Sequence, residues 1–96
     1  MRELVRVFEE EVPAMVARAE GAMENSDAVG LAKAAHKVKG SVLQFSAHSA
    51  AAAAEDLEQL GKSGTLRGAE SALRTLKEEV DKLLQLLHGM LREMAR

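Results

Sequence analysis

Apolar residues recur along this chain at steps of three and four, the period of an amphipathic helix, with short polar breaks between the runs. Leu4, Val5 and Phe8 mark one face of a first segment, from about Arg2 to Glu11. Pro13 suits a first helical position and opens a second segment, in which Val12, Met15, Val16, Ala19 and Met23 keep helical spacing. Asn25-Ser26-Asp27 is a stop and a restart, with Ser26 or Asp27 as N-cap. A third helix is expected from about Ala28 to Leu43, burying Leu31, Ala35, Val38 and Val42, with Phe45 continuing the stripe. Ser46 is the expected N-cap of a fourth helix that reaches about Leu60 and buries Ala50, Ala53, Ala54, Leu57 and Leu60. Gly61 to Gly64 forms a turn, and Thr65 is placed as the cap of a last helix from about Leu66 to Met94. Its stripe is Leu73, Leu76, Val80, Leu83, Leu87, Met90 and Met94, and its length is roughly 43 Å.

These elements predict an all-α protein: an antiparallel up-and-down four-helix bundle with a short extra N-terminal helix, forming one domain over residues 1–96. The last helix is expected to protrude beyond its partners. Leu84, Leu86 and Leu91 lie off its main stripe, either packed under the first helix or offered to a second copy.

Composition narrows the function. With 47% apolar residues, only two aromatic residues and one proline, the chain favours helix and a small-residue core. A net charge of −2 with interspersed signs argues against nucleic-acid binding. The absence of cysteine excludes disulfides and thiolate chemistry. No apolar stretch has the length of a signal peptide or a membrane span, and a soluble cytoplasmic protein without a membrane partner is expected.

The candidate chemistry is concentrated in Ala35-His36-Lys37-Val38-Lys39-Gly40-Ser41. On a helix whose inward face carries Ala35, Val38 and Val42, His36 and Gly40 share an outward face one turn apart. Lys33 and Lys39 flank the histidine three residues to either side, and Lys37 is adjacent. An interior glycine costs about 1 kcal/mol relative to alanine, which calls for a compensating reason. A missing side chain beside the imidazole would let a partner approach closely. The lysines would neutralise an added dianion and keep the imidazole neutral and nucleophilic. A surface histidine near lysines is common by itself; the joint spacing His-x-x-Lys-Gly is more specific. His48 and His88 lack that arrangement and are expected to be ordinary histidines. Scattered histidines and no His-Glu-x-x-His pattern argue against a metal site. Glu55-Asp56 and Glu78-Glu79 are adjacent in sequence and are taken as solvated surface.

At these residues the chain resembles the histidine phosphotransfer domain family. The likeness runs through Ala47 and Asp56-Leu57-Glu58 to the turn Gly61-Lys62-Ser63-Gly64, and begins at Phe8-Glu9-Glu10-Glu11-Val12-Pro13. It implies that His36 accepts a phosphoryl group from an aspartyl phosphate of one receiver domain and passes it to another in a two-component phosphorelay. It implies a phosphoryl carrier rather than a turnover enzyme. It also implies that Lys39 helps hold the phosphoryl oxygens and that Gly40 leaves room for the receiver. Lys33 and Lys37 follow as secondary electrostatic contributors. No cofactor of its own is implied, Mg²⁺ belonging to the partner receiver, whether on a response regulator or a hybrid sensor kinase. Gln44 stands where many members carry a small residue, often Asn or Ser, and could hydrogen-bond near the site; Ser46 stands where many carry Gly. Leu43, on the His36 side, either docks a receiver helix or packs on the first helix. The chain is expected to be monomeric. The alternative is a helical adaptor or dimerising bundle without phosphoryl chemistry.

Overall fold

The computed structural model describes the backbone of residues 2–94 and the side chains of residues 5–93. Leu4 and Met94, the expected ends of two stripes, lie outside the described side chains. Four helices follow one another: α1 (Arg2–Glu24), α2 (Ala28–Leu43), α3 (His48–Ser63) and α4 (Ala69–Met94). Each packs on its sequence neighbour, and α4 closes the bundle against α1. The described residues contain no strand. The molecule is a rod of 48 × 19 × 17 Å.

The separate N-terminal helix is corrected. Residues 2–24 form one helix with Pro13 inside it. The reason is the phase of its buried side chains. Val5, Phe8, Val12, Val16 and Ala19 are all buried at steps of three and four with no slip at the proline. Pro13 itself is exposed, so its missing N–H falls on the solvent side of the helix. Water can take the carbonyl left without a donor, and packing outweighs the local cost.

Both of the next two turns close α-helices in the same way. Ser26 (φ 54°) and Ser46 (φ 56°) occupy the left-handed region. The amide of the following residue reaches back five positions, Asp27 to the Ala22 carbonyl (2.7 Å) and Ala47 to that of Val42 (3.3 Å). This pattern satisfies the last carbonyls of a helix and normally favours glycine at the left-handed position. Asp27 then caps α2, its Oδ1 accepting the Gly30 amide at 2.9 Å. Ser46 is therefore not the cap of α3: it terminates α2, and Ala47 takes the cap position without a side-chain bond. Thr65 likewise does not start α4. Its Oγ1 accepts the Arg67 amide within a turn, and the helix begins at Ala69, after Gly68 (φ 84°). With this later start, Ala69 opens the buried stripe that continues through Leu73, Leu76, Val80, Leu83 and Leu87.

The core is built from Leu31, Leu57, Leu76, Val12, Val38 and Val42, with Ala50, Ala53 and Ala54 keeping α3 close to its neighbours. The tightest approach is at Gly61. A Cβ there would lie 2.7 Å from the Ala28 carbonyl oxygen and 2.7 Å from the Ala32 nitrogen, so only glycine lets α3 cross the start of α2. Leu60 and Phe45 are half-buried rather than central; Phe45 meets Phe8 edge-on, with ring centroids 4.8 Å apart.

With 23 and 26 residues against 16 in each of α2 and α3, α1 and α4 run past their partners as a two-helix end. His88 Nε2 joins Glu9 Oε1 there at 2.7 Å. Leu84 and Leu91 pack partly against the core, whereas Leu86 and Met90 are exposed, which removes Met90 from the expected buried stripe. No helix among the described residues is long and apolar enough to cross a membrane.

Candidate functional site

His36 follows the fully buried Ala35, and the next step round α2 turns it outward, so that 66% of its side chain is exposed. What lies beneath it comes from α3. Glu58 follows the core residue Leu57 and sits four residues after Ala54, on a position that faces α2, and is only 4% exposed. Its Oε2 lies 3.0 Å from His36 Nδ1. Its Oε1 accepts from Lys39 Nζ at 2.8 Å, and Lys62, one turn further along α3, reaches Oε2 at 3.2 Å. Lys39 also donates to Glu55 Oε2 at 2.6 Å, and Gln59 donates to the other oxygen of Glu55.

A carboxylate removed from water is unstable unless it is paired. Here Lys39 above all, and then Lys62 and His36, outweigh the desolvation of Glu58 and hold its pKa down at about 2. Glu58 is thus ionised at any ordinary pH and can only accept hydrogen bonds. Lys39 is shifted upward by Glu55 and Glu58, and Glu55 downward by Lys39 and Gln59. The network locks α2 to α3 directly under the histidine. No buried side-chain nitrogen or oxygen among the described residues lacks a partner.

The structure places the sequence candidates on three sides of α2. Lys39 turns toward α3 and is engaged by two carboxylates, so it does not stand as a bare cation beside the imidazole. Gly40 is on the outward face, and a Cβ at that position would meet nothing within 4 Å. Its lack of a side chain is therefore not required by packing within this chain. Leu43 is 45% exposed, which decides between its two expected placements in favour of the surface. Gln44 is exposed at the C-cap of α2, where its backbone N–H donates to the Ser41 and Val42 carbonyls. Lys33 and Lys37 are exposed and line a groove toward α1, not the pairing network. His48 is exposed at the first position of α3, two turns before Glu55, and His88 belongs to the projecting end.

Sequence reasoning missed Glu58, Glu55 and Val29. Glu58 carried a signal: a carboxylate four residues after Ala54 and seven after Ala51 falls on the buried stripe of α3. Val29, 65% exposed, precedes His36 by seven residues, as Leu43 follows it by seven. The three lie in line along α2, with the imidazole between two exposed apolar side chains. A groove of about 700 Å³ between α3 and α4, lined by Asp56, Leu60 and Thr75 among others, does not include His36. No group of three or more His, Asp or Glu side chains among the described residues is arranged to hold a metal ion.

An outward histidine braced from below by an ionised carboxylate, on a face with open space and apolar flanks, is suited to a nucleophile that meets another protein. No curated protein and no solved structure matches the chain. A family model, described as the Hpt domain, matches residues 3–86. That span takes in α1, α2, α3 and most of α4, with His36 and Glu58 inside it, and the chain belongs to the Hpt domain family, the histidine phosphotransfer modules of phosphorelays.

Proposed function

We propose that this chain carries a phosphoryl group on His36, taking it from the aspartyl phosphate of one receiver domain and giving it to the aspartate of another. The observation that carries this reading is the 3.0 Å contact between His36 Nδ1 and an ionised Glu58 beneath an exposed ring. Since Glu58 can only accept, the neutral imidazole keeps its proton on Nδ1, and the lone pair resides on Nε2. Nε2 attacks phosphorus in line. The N–P bond forms as the bond from phosphorus to the aspartyl oxygen breaks, and its electron pair returns to the carboxylate. The ring becomes a phosphorylated imidazolium with its proton still on Nδ1, facing the charge of Glu58. No proton has to leave, and in the next transfer the N–P bond breaks with its electron pair returning to Nε2, so that a neutral imidazole, still protonated on Nδ1, is the leaving group. Catalysis is then a matter of positioning, with Lys39 and Lys62 holding Glu58.

Lys39, engaged by Glu55 and Glu58, acts in this reading by orienting the carboxylate more than by binding phosphoryl oxygens. Val29, Gly40 and Leu43 form the ground on which the receiver settles, Gly40 by leaving its approach open. Mg²⁺ and the aspartate are supplied by the receiver. The test is incubation with a panel of phosphorylated receiver domains and Mg²⁺, read by intact mass. An acid-labile gain of one phosphoryl group that His36→Gln abolishes is the expected result. Label on His48 or His88, or persistence of label in that variant, would overturn the assignment.

A further inference from the structure

The lysines of this bundle fall into two classes. Lys39, Lys62, Lys77 and Lys82 each pair with a glutamate. Lys33 and Lys37 have no ion-pair partner among the described residues, and both line one groove of about 390 Å³ between α1 and α2. Arg18 of α1, also without such a partner, lines the groove opposite them. Among the groove's described lining residues Asp27 is the one carboxylate; it caps α2 through the Gly30 amide and keeps its negative charge. The floor is made of Gly21, Ala22 and Ala34, which leave room between the helices. Three cations against the one carboxylate leave the groove with a net positive excess, which favours an anionic occupant.

The groove adjoins the His36 face. Lys33 and Lys37 lie ~60° and ~100° round α2 from His36, on the side opposite Lys39. A protein seated over His36 therefore overhangs it. The two sides of the histidine differ in charge balance: toward α3 the cations are matched by Glu55 and Glu58, and toward α1 they outnumber the carboxylate. We infer that Arg18, Lys33 and Lys37 form a docking groove for acidic side chains of the receiver, selecting and orienting partners rather than touching the phosphoryl group. This rests on the phosphotransfer reading and gives it a partner chemistry: receivers with an acidic edge beside their active site. Charge arranged this way acts mainly on encounter and on partner choice.

The experiment uses the receiver that labels His36 fastest in the panel, in single-turnover transfer over a range of receiver concentrations. It compares the wild-type chain with the triple variant Arg18→Glu, Lys33→Glu, Lys37→Glu, and with the neutral triple Arg18→Gln, Lys33→Gln, Lys37→Gln in case the reversed charges impair folding. The expected result is a half-saturating receiver concentration raised at least about tenfold in the charge-reversed variant, with the maximal rate held within about twofold. Raising ionic strength from about 0.05 to about 0.5 M should weaken wild-type transfer and leave the neutral variant nearly unchanged. Unchanged half-saturation in both variants overturns the inference while leaving phosphotransfer intact, as does a loss confined to the maximal rate. A concentration-dependent dimer that the variants abolish would seat a second copy in the groove and also overturns it. Absence of label on His36 from every receiver defeats the phosphotransfer reading itself.

Discussion

Nδ1 of His36 on α2 lies 3.0 Å from Oε2 of Glu58 on α3, across 22 residues of sequence and the single turn that joins the two helices. The contact pairs one of the more exposed side chains of α2 with the buried charge of α3. An ionised carboxylate at that distance can only accept, so in the proposed mechanism it favours the proton on Nδ1 and the lone pair on Nε2.

The tautomer is directly observable. Nitrogen-detected NMR with the His36 ring in its neutral form should show the proton on Nδ1, and Glu58→Gln should return much of the population to the form protonated on Nε2. The same substitution should slow transfer by about 10–100-fold, taking for this nucleophilic ring the cost usual for removing the partner that orients a metal-bound histidine. A Glu58→Gln protein with unchanged tautomer and rate would remove Glu58 from the mechanism.

Acid stability follows from the same carboxylate. The ordinary value of 4.5 falls to about 2 in the folded protein, chiefly through Lys39. A depressed folded value gives stability that is fully present above the unfolded value and lost as pH falls through the folded one. Urea unfolding should therefore show a stability loss between about pH 4.5 and pH 2 that is visibly smaller in Glu58→Gln. At neutral pH Glu58→Ala should cost about 1–3 kcal/mol, because Lys39, Lys62 and His36 lose a shared acceptor.

Two glycines should respond in opposite directions. Gly61→Ala drives a Cβ into backbone atoms of α2 at 2.7 Å and should destabilise by about 1–3 kcal/mol, lowering the thermal midpoint. Gly40→Ala meets nothing within 4 Å and should stabilise α2 by up to about 1 kcal/mol while slowing transfer from a receiver. A Gly40→Ala protein that transfers at the wild-type rate would show that the open face above His36 is not needed.

Ser46 holds the left-handed position that ends α2 with φ 56°. Ser46→Gly relieves that conformation and should raise stability by about 1 kcal/mol in chemical denaturation, without altering transfer. The resemblance marked this position as one where glycine is common, and the turn geometry supplies the reason.

Pro13 tests the continuity of α1. Pro13→Ala restores an amide to the helix interior and should add stability, on the order of 1–3 kcal/mol, together with a small gain in helical circular dichroism. Two helices broken at this point would instead lose a favourable first-turn residue and be destabilised.

Much of this protein was determined by local order along the chain. The three- and four-residue spacing of Leu31, Ala35, Val38 and Val42 is enough to make α2 and to turn His36 and Gly40 outward, because side-chain direction on a helix follows from position alone. Asp27 as a cap is equally local, since it acts within one turn of backbone, whereas Gly61, read from sequence as the start of a turn, lies inside α3, which runs on to its left-handed cap at Gly64 because Gly61 packs against α2. Tertiary packing decided the rest. Pro13 sits inside a helix because distant core contacts keep its two halves in phase. Lys39 faces Glu55 and Glu58 rather than open solvent because Gly61 lets α3 lie close against α2. Glu58 looks like surface charge in a list of residues and becomes a buried partner of His36 only when the two helices meet. A carboxylate's burial, and with it the proton on a histidine, is a property of the assembled interface and not of either strand of sequence.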